Sequence, residues 1–325
     1  MIKQNLNCLL FLLLLFSSCL KEASDIQFKE NYAKNSIQYF SNSKYPSQDK
    51  IALLWWDATS EKIGLFNTVT DSLVVVGTVG DLQWWLQQCL VKEDILYTFG
   101  FNENDDSNNM LYKNDIETGK LISKTKIDSN LINLTIAGRY NNEIILLWWD
   151  GTSQKFGIMD TNTDSISTIG IIGNLKFWQM QCIIKEDILY TFGFNETEST
   201  IVLFKYDLNT GKLISETKMS PKMTNITIAG RYNNEIILLW WDGTSQKFGR
   251  MDTNTDSVST IGVVGDLHWW QNLCFINDNT LYTFGFNEND ESYNMLYKND
   301  LVTGNLISKN KYNSNLVNLT ISKNK

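Results

Sequence analysis

Pairs of tryptophan followed by aspartate are the residues of this sequence best suited to contact a ligand. The motif Trp-Trp-Asp occurs at residues 55–57, 148–150 and 240–242, and the other five of the eleven Trp lie at 84–85, 178 and 269–270. Aromatic faces stack on sugar rings, and neighbouring carboxylates accept hydrogen bonds from sugar hydroxyls. The predicted ligand-binding residues form three sets of one pattern: Trp56, Asp57, Trp85, Trp149, Asp150, Trp178, Trp241, Asp242 and Trp270.

A purely structural role is the alternative for the same tryptophans. Adjacent residues of a strand point to opposite faces, and both faces are buried where a strand lies inside a layered fold. In the ligand-binding interpretation, Trp149 and Asp150 form the centre of one site, Trp178 forms its wall, and Asp150 accepts hydrogen bonds from ligand hydroxyls. The first copy differs from the others at Ala58, Glu61 and Ile63, so its site is the least supported of the three.

Few side chains are available for catalysis. His268 is the single His, and Gln83 and Lys176 occupy the equivalent positions. Because the only His has no His counterpart in the other repeats, the sequence predicts neither a two-His metal motif nor a Ser-His-Asp set. Three Arg and a net charge of -8 at pH 7 argue against contact with a nucleic-acid backbone. The sequence therefore predicts a non-catalytic protein with no cofactor, no metal and no nucleic-acid partner.

Two further features allow a metal as an alternative. The segment 160–164, Asp-Thr-Asn-Thr-Asp, begins like a calcium loop, but Gly at its sixth position and an acid at its twelfth are missing. Cys89, Cys182 and Cys274 occupy one equivalent position in each long repeat. We interpret these cysteines as small buried residues, with a three-thiolate site near a central axis as the alternative.

Internal repetition defines the architecture that must position these residues. Residues 51–57 return at 144–150 and at 236–242, offsets of 93 and 92 residues. A turn of the form Asp/Asn-x-x-Thr-Gly/Asp divides each long repeat in two, and it begins at residues 67, 115, 160, 207, 252 and 300. Units of about 46 residues have the length of one four-stranded propeller blade.

Strand positions follow from the same repetition. Strands a to d, from the ring centre outward, are predicted at 132–138, 144–150, 155–160 and 165–170 in one blade type, and at 178–185, 188–194, 201–207 and 212–218 in the other. A spare copy of strand a, residues 315–322, ends the chain and is expected to complete the first blade, which hides its open edge.

The segment 203–215, Leu-Phe-Lys-Tyr-Asp-Leu-Asn-Thr-Gly-Lys-Leu-Ile-Ser, resembles the blades of quinoprotein-like bacterial propellers. This resemblance covers residues 36–325. The resemblance implies a propeller fold, and the internal repeats make it an all-β, six-bladed β-propeller built from three double-blade repeats of about 93 residues. It implies no particular activity, because such blades occur in enzymes, scaffolds and binding proteins.

The first eighteen residues have the pattern of a signal peptide. Lys3 precedes the apolar run 9–16, and Ser17-Ser18-Cys19 follows it. The run is shorter than a membrane-spanning helix. It resembles a bacterial lipoprotein signal, which implies cleavage before Cys19, acylation of Cys19, for example with palmitate, and a lipid anchor in the outer membrane. An ordinary secretory signal with an incidental Cys is the alternative.

Residues 19–35 are predicted to be the lipidated Cys and a polar tether, and residues 36–325 the propeller. The segment 20–22, Leu-Lys-Glu, partly matches a short signal that sends some Gram-negative lipoproteins to the cell surface, but Ala23 departs from it. The sequence is compatible with a propeller in the periplasm and with one on the outer surface of the cell.

These observations predict a membrane-anchored binding protein whose Trp/Asp-rich face binds a carbohydrate or glycan. The alternative is a structural or assembly module of the cell envelope that uses the same face against envelope proteins. A protein contact needs a contiguous apolar patch of several hundred Å², whereas sugar binding needs separate clefts.

Overall fold

The computed structural model describes residues 50–57, 59–82, 84–102, 105–128, 130–173, 175–195, 200–287, 290–312 and 316–321. Their side chains are described except at 84–88, 101–102, 105–108, 175–180, 195, 268–272, 286–287, 290–293, 317–318 and 321. The predicted signal peptide (1–18), the predicted lipidation site Cys19 and the predicted tether (19–35) lie outside the described residues. The described part of the chain forms strands and turns, and none of its elements is a helix that could span a membrane.

The strands form six four-stranded sheets, which correspond to the six predicted blades. Blade 1 contains β1 (Lys50–Trp56), β2 (Glu61–Asn67) and β3 (Ser72–Thr78). Blade 2 contains β4 (Trp84–Lys92), β5 (Ile95–Asn102), β6 (Asp105–Asp115) and β7 (Leu121–Lys126). Blade 3 contains β8 (Ile132–Tyr140), β9 (Glu143–Trp149), β10 (Gln154–Met159) and β11 (Ile166–Ile172).

The second half of the ring repeats this arrangement. Blade 4 contains β12 (Leu175–Lys185), β13 (Ile188–Asn195), β14 (Ile201–Asp207) and β15 (Leu213–Lys218). Blade 5 contains β16 (Thr224–Tyr232), β17 (Glu235–Trp241), β18 (Gln246–Met251) and β19 (Val258–Val263). Blade 6 contains β20 (Leu267–Asn277), β21 (Thr280–Asn287), β22 (Asp290–Asp300) and β23 (Leu306–Lys311), and β24 (Val317–Ile321) follows it. The predicted strand boundaries in blades 3 and 4 are correct to within three residues.

The C-terminal strand completes blade 1, as predicted. β24 pairs antiparallel with β1, with Leu53 opposite Ile321 and Leu54 opposite Thr320. The inner strands β24, β4, β8, β12, β16 and β20 each contact the next one, and β20 contacts β24 again. The ring is therefore closed by joining β24 to β1, the last and the first of the described strands.

The core lies between blades because the second strand of each blade is buried on both faces. In β9, Ile144, Leu146 and Trp148 pack against blade 2, while Ile145 and Leu147 pack against blade 4. Burying both faces of a strand between two sheets removes most of its apolar surface from water, at about 25 cal/mol per Å². This alternation also decides which boundary each residue at the strand end can reach.

The c–d hairpins of blades 1, 3 and 5 dock on the preceding blade through buried ion pairs. Asp164 has φ 59° and lies 2.5 Å from Lys113 Nζ, with side chains only 12% and 11% exposed. Lys113 also donates to the Thr161 carbonyl at 3.0 Å, and Lys92 donates to the Thr161 hydroxyl at 2.7 Å. The equivalent ion pairs are Lys205–Asp256 and Lys298–Asp71.

The hairpins of blades 2, 4 and 6 dock through glycine instead. Gly211 has φ 69°, and a Cβ added to it would lie well under 3.0 Å from the carbonyl oxygen of Ile169 in the preceding blade. Gly170, the neighbour of Ile169, would likewise carry a Cβ 2.6 Å from the Gly211 carbonyl oxygen. The two backbones therefore touch, and neither position has room for a side chain.

The three repeated cysteines are free thiols in three different parts of the core. Cys89, Cys182 and Cys274 each lie on the innermost strand of a blade, as predicted, but they belong to separate clusters of buried residues. Burial raises the pKa of the Cys274 thiol. The alternative of a shared three-thiolate site is wrong, because each thiol packs between a different pair of blades.

Candidate ligand-binding site

The repeated Trp-Trp-Asp motifs end the second strand of blades 1, 3 and 5. In blade 3, Trp149 pairs with Ile132 at the start of β8 and with Gln154 at the start of β10. The starts of the innermost strands and the loops after the second strands therefore share one face of the ring. We call this the Trp face.

The first Trp of each motif is a packing residue. Trp55, Trp148 and Trp240 are 4%, 3% and 5% exposed. The Trp148 ring covers Gly157 on the neighbouring strand, where an added Cβ would lie 2.8 Å from the ring atom Cη2. These three tryptophans therefore have the packing role that was the alternative to ligand binding.

The second Trp of each motif is half-buried and faces the following blade. Trp149 is on the same face of β9 as Ile145 and Leu147, which pack against blade 4. Trp56 and Trp241 occupy the same position in blades 1 and 5. The predicted wall residues Trp85, Trp178 and Trp270 lie on the innermost strands β4, β12 and β20, and their side chains are outside those described.

The aspartate of each motif holds the loop that follows it. Asp150 Oδ1 accepts hydrogen bonds from the Thr152 amide (2.9 Å), the Thr152 hydroxyl (2.7 Å) and the Ser153 amide (2.8 Å). Its Oδ2 forms an ion pair with Lys155. Asp57 and Asp242 accept the equivalent loop hydrogen bonds.

The same contacts set the charge state of these aspartates. The Lys155 side chain, then the Ser153 amide and Thr152, hold the pKa of Asp150 well below its ordinary value of 3.8. The Thr244 side chain and the loop amides have this effect on the pKa of Asp242. At Asp57, partial burial raises the pKa, but Thr59, Lys62 and the loop amides outweigh it and lower the pKa to about 2. All three are anions at neutral pH.

A groove opens between blades 2 and 3 and reaches the Trp face. Its volume is about 630 Å³. Asp150 and Lys155 lie at its Trp-face end, and Asp164 belongs to the hairpin at its other end. The lining residues are Lys126, Ile127, Asp128, Asn130, Leu131, Trp148, Asp150, Lys155, Asp164, Ile166 and Thr168. We call it groove 2/3.

Asp150 and Trp149 therefore contact different blade boundaries. Asp150 lines groove 2/3, whereas Trp149 faces blade 4. The structure does not bring these two predicted site residues together in one cleft, because successive residues of a strand point in opposite directions. The equivalent boundaries for Asp242 and Asp57 are 4/5 and 6/1, and we call the corresponding positions groove 4/5 and groove 6/1.

A buried polar position next to the Trp face was not among the predicted site residues. Glu61, Gln154 and Gln246 pair across the sheet with Trp56, Trp149 and Trp241, and they are 1%, 3% and 1% exposed. Among the residues described, the side-chain polar atoms of Glu61 and Gln246 have no hydrogen-bond partner. The repeated Gly-Thr-Ser-Gln-Lys loop was the available sequence signal for this position.

Glu61 differs from its two Gln counterparts by carrying an acid. Burial, with a smaller contribution from the nearby Asp57 carboxylate, raises the pKa of Glu61 from 4.5 to about 9. The side chain is therefore a neutral carboxylic acid at pH 7. In that form it has one donor and one acceptor end, as Gln does.

The oxygen-rich hairpin of the calcium alternative uses its carboxylates within the protein. Asp160 Oδ1 accepts the Asn162 amide at 2.7 Å and the Thr163 amide at 3.3 Å, and Asp164 pairs with Lys113. Within the described ranges, no group of three or more His, Cys, Asp or Glu side chains is arranged to hold a metal ion.

Comparison with known proteins gives the fold. No known family model matches this chain, and no curated protein matches it either. The structure is similar to TolB from Acinetobacter baumannii, with a TM-score of 0.54 and 12% identity, over 86% of this chain and 68% of that chain. The chain is a six-bladed β-propeller.

Two further solved structures have similar propellers. One is in the nidogen/laminin complex, with a TM-score of 0.50 and 10% identity, over 84% of this chain and 98% of that one. The other is the β-propeller domain of the Trilobed protease from Pyrococcus furiosus, with a TM-score of 0.49 and 12% identity, over 81% and 77%. At such identities the likeness concerns the fold alone, because one fold can carry unrelated functions.

Proposed function

We propose that this propeller is a non-catalytic binding protein for a carbohydrate, and that groove 2/3 is its principal site. The observation that carries the proposal is the groove itself, which has about 630 Å³ of space and opens at the Trp face. Sites for small ligands commonly have volumes of about 300 to 1,000 Å³. A di- or trisaccharide is of matching size.

The lining of the groove suits a polyhydroxylated ligand. Lys126 and Lys155 supply hydrogen-bond donors, Asp128 supplies acceptors, and Thr168 supplies a hydroxyl that can do both. Ile127 and Leu131 add an apolar strip, against which the C–H face of a sugar can pack. Asp150 contributes by fixing the loop and the position of Lys155, and its Oδ2 stays on the groove wall beside that lysine.

Binding fits the charge state of the groove better than hydrolysis does. A general acid needs a pKa raised towards the working pH. Contacts with Lys155 and the loop lower the pKa of Asp150, and Asp164 is paired with Lys113. Glu61 has a raised pKa but is buried in blade 1, outside the groove.

The location of the protein at the outer membrane is part of the proposal. Acylation of Cys19 would hold the propeller at the outer membrane through a polar tether, with each buried methylene of the acyl chains contributing about 0.8 kcal/mol. A lipid-anchored propeller with a sugar-binding groove would capture glycans at the cell envelope. Cys19→Ala should release the protein from membranes in fractionation, with loss of metabolic fatty-acid label.

A blocked groove tests the carbohydrate assignment. The full chain is applied to a glycan array, and hits are compared with those of Thr168→Trp, which fills the groove from an exposed position on β11. Ser167→Trp is the matched control, because Ser167 is exposed on the same strand but does not line the groove. We expect Thr168→Trp to lose binding and Ser167→Trp to keep it. No glycan bound by the unaltered protein, or equal binding by both variants, would reject the proposal.

A second candidate is an assembly module, and the outer strands favour it more than the Trp face does. Ile122, Ile214 and Ile307 occupy one position on the outermost strands of blades 2, 4 and 6 and are 54%, 51% and 55% exposed. Apolar residues repeated on an open sheet edge are typical of protein contacts. Replacing all three by Asp should abolish co-purification of an envelope partner if this candidate is right, and leave glycan binding intact if the first one is.

A further inference from the structure

Groove 2/3 and the equivalent positions 4/5 and 6/1 differ in the residue that follows the outermost strand of the preceding blade. Ile127, Met219 and Tyr312 each follow the outermost strand of a blade and donate the same backbone hydrogen bond. The acceptors are the carbonyls of Asn109, Ile201 and Asn294, at 2.7, 2.8 and 2.6 Å. Because the backbone position is the same, the three grooves differ at this point only in the side chain that the residue carries.

Tyr312 crosses groove 6/1 from blade 6 to blade 1. Its ring packs with Phe66 of blade 1 and Phe284 of blade 6, with ring centroids 6.1 and 5.8 Å away. Its hydroxyl donates to the carbonyl of Asp71 in the blade 1 hairpin. Ile127 and Met219 have no polar end that could make this bridge.

The blade 1 wall of groove 6/1 is also less polar than the equivalent wall of groove 2/3. Leu73 and Val75 of blade 1 stand where groove 2/3 has Ile166 and Thr168, so the hydroxyl of Thr168 is lost. Leu73 packs in the same cluster as Tyr312. Groove 6/1 is thus both bridged and less polar.

We infer that Tyr312 closes groove 6/1, so that the threefold repeat offers two open grooves, 2/3 and 4/5, instead of three. The inference rests on the proposed function in treating these grooves as ligand sites. Tyr312 is then the residue that decides how many sites the ring has. Fewer sites mean a smaller gain in avidity on a polymeric glycan.

The closure can be measured without any glycan. Cysteine is introduced at the equivalent wall positions as Ile166→Cys, Val258→Cys and Leu73→Cys in the full chain. Each variant is labelled with fluorescein maleimide, which is about as large as a disaccharide, and separately with iodoacetamide. Peptide mass spectrometry reads each cysteine by itself, and the ratio of the two labelling rates reports groove width independently of thiol reactivity.

We expect the ratio of bulky to small label to be about tenfold lower for Leu73→Cys than for Ile166→Cys or Val258→Cys, since the bulky label must wait for local opening. Adding Tyr312→Ile should raise the Leu73→Cys ratio to the level of the other two. The reciprocal change Ile127→Tyr should lower the ratio for Ile166→Cys, which keeps the test decisive if Tyr312→Ile fails to fold.

Equal ratios at all three positions with Tyr312 present, or no effect of Ile127→Tyr, would overturn the inference. A glycan array without hits would reject the proposed function but leave the labelling result standing. The two failures are therefore distinguishable.

Discussion

The hairpins of blades 1, 3 and 5 and those of blades 2, 4 and 6 reach the same backbone geometry with different residues. The left-handed position is Asp164, with φ 59°, in blade 3, and Gly211, with φ 69°, in blade 4. An Asp in this conformation carries a cost of about 1 kcal/mol relative to Gly. The ion pair with Lys113 explains why an Asp occupies the position, and the contact with the Ile169 carbonyl explains why the other hairpin needs Gly.

The comparison shows that one turn type can dock in two ways. The polar hairpin of blade 3 contacts blade 2 through the ion pair between Asp164 and Lys113 and through two hydrogen bonds to Thr161. An aromatic ring of blade 2 adds a contact with the same lysine. Lys113 lies over the Tyr97 ring, 5.5 Å from its centroid. The glycine hairpin joins its blade by direct contact between two backbones. The first arrangement is sensitive to loss of charge, the second to added volume.

Adding a methyl group to the glycine hairpin should have the largest effect. Gly211→Ala places a Cβ against the Ile169 carbonyl and a side chain at φ 69°. We expect the free energy of unfolding to fall by about 4 kcal/mol, from overpacking and backbone strain together. Urea denaturation measures it. Gly151→Ala is the control, since Gly151 has φ 92° but open space around its Cβ position, and should lose only about 1 to 2 kcal/mol. Equal losses at both sites would show that docking contact is unimportant.

Removing the lysine from a polar hairpin should have the next largest effect. Lys205→Met leaves Asp256 without its cation at a position where both side chains are under 10% exposed. Breaking one partner of a buried pair costs about 3 kcal/mol, because the remaining charge stays buried. Thermal and urea unfolding test this.

An exposed pair provides the control for the buried one. Lys309 lies 2.5 Å from Asp266, with side chains 28% and 52% exposed, so Lys309→Met should cost less than about 1 kcal/mol. The double variant Lys205→Met with Asp256→Asn should recover part of the loss, because no charge is left buried. A Lys205→Met protein as stable as the Lys309→Met protein would contradict the docking role of the pair.

The architecture could be predicted because it depends on patterns within short stretches of sequence, namely repeated turns and repeated strands. Six turns at regular spacing and a spare strand at 315–322 are enough to predict six blades and their closure, and both predictions are confirmed. The buried cysteines on the innermost strands follow from the same periodicity.

The site was harder to predict because it depends on which blade faces which. Lys113 and Asp164 lie in different blades, and nothing in their local sequence pairs them. Trp149 and Asp150 are neighbours in sequence, but strand alternation sends them to different boundaries. Tyr312 crosses to a blade built from the other end of the chain.

Blades 1, 3 and 5 can be compared at the buried polar position occupied by Glu61, Gln154 and Gln246. Glu61 has a pKa of about 9 in the folded protein against an ordinary value of 4.5. Between these two pH values the folded protein keeps Glu61 protonated, whereas the unfolded chain ionises it. Its stabilising contribution is complete below about pH 4.5 and is lost as the pH rises through about 9. Glu61→Gln, which copies Gln154 and Gln246, removes this loss and should stabilise the protein by about 2 kcal/mol at pH 7, and by more at pH 9.

Melting temperatures of the two proteins between pH 5 and pH 9 test the titration of Glu61. The difference between variant and unaltered protein should grow with pH, since all other groups titrate equally in both. Gln246→Glu is the reciprocal change and should introduce the same pH dependence into blade 5. Parallel curves for Glu61→Gln and the unaltered protein would mean that Glu61 is ionised in the folded state.

The smallest expected effect concerns the loop aspartates and separates their two possible roles. Asp242 Oδ1 accepts from the Thr244 and Ser245 amides, each at 2.9 Å, and Oδ2 lies 3.6 Å from Lys247. Asp242→Asn keeps an oxygen for the amides and loses only the charge, so its Tm should stay within about 1 °C. Asp242→Ala removes the acceptor as well and should lower the Tm by about 2 °C, because a side-chain cap of the loop amides is lost. If Asn and Ala lower the Tm equally, the charge holds the loop and the amide contacts do not. If neither changes the Tm but both abolish glycan binding, the aspartate contacts the ligand directly and the loop-holding role assigned to it is wrong.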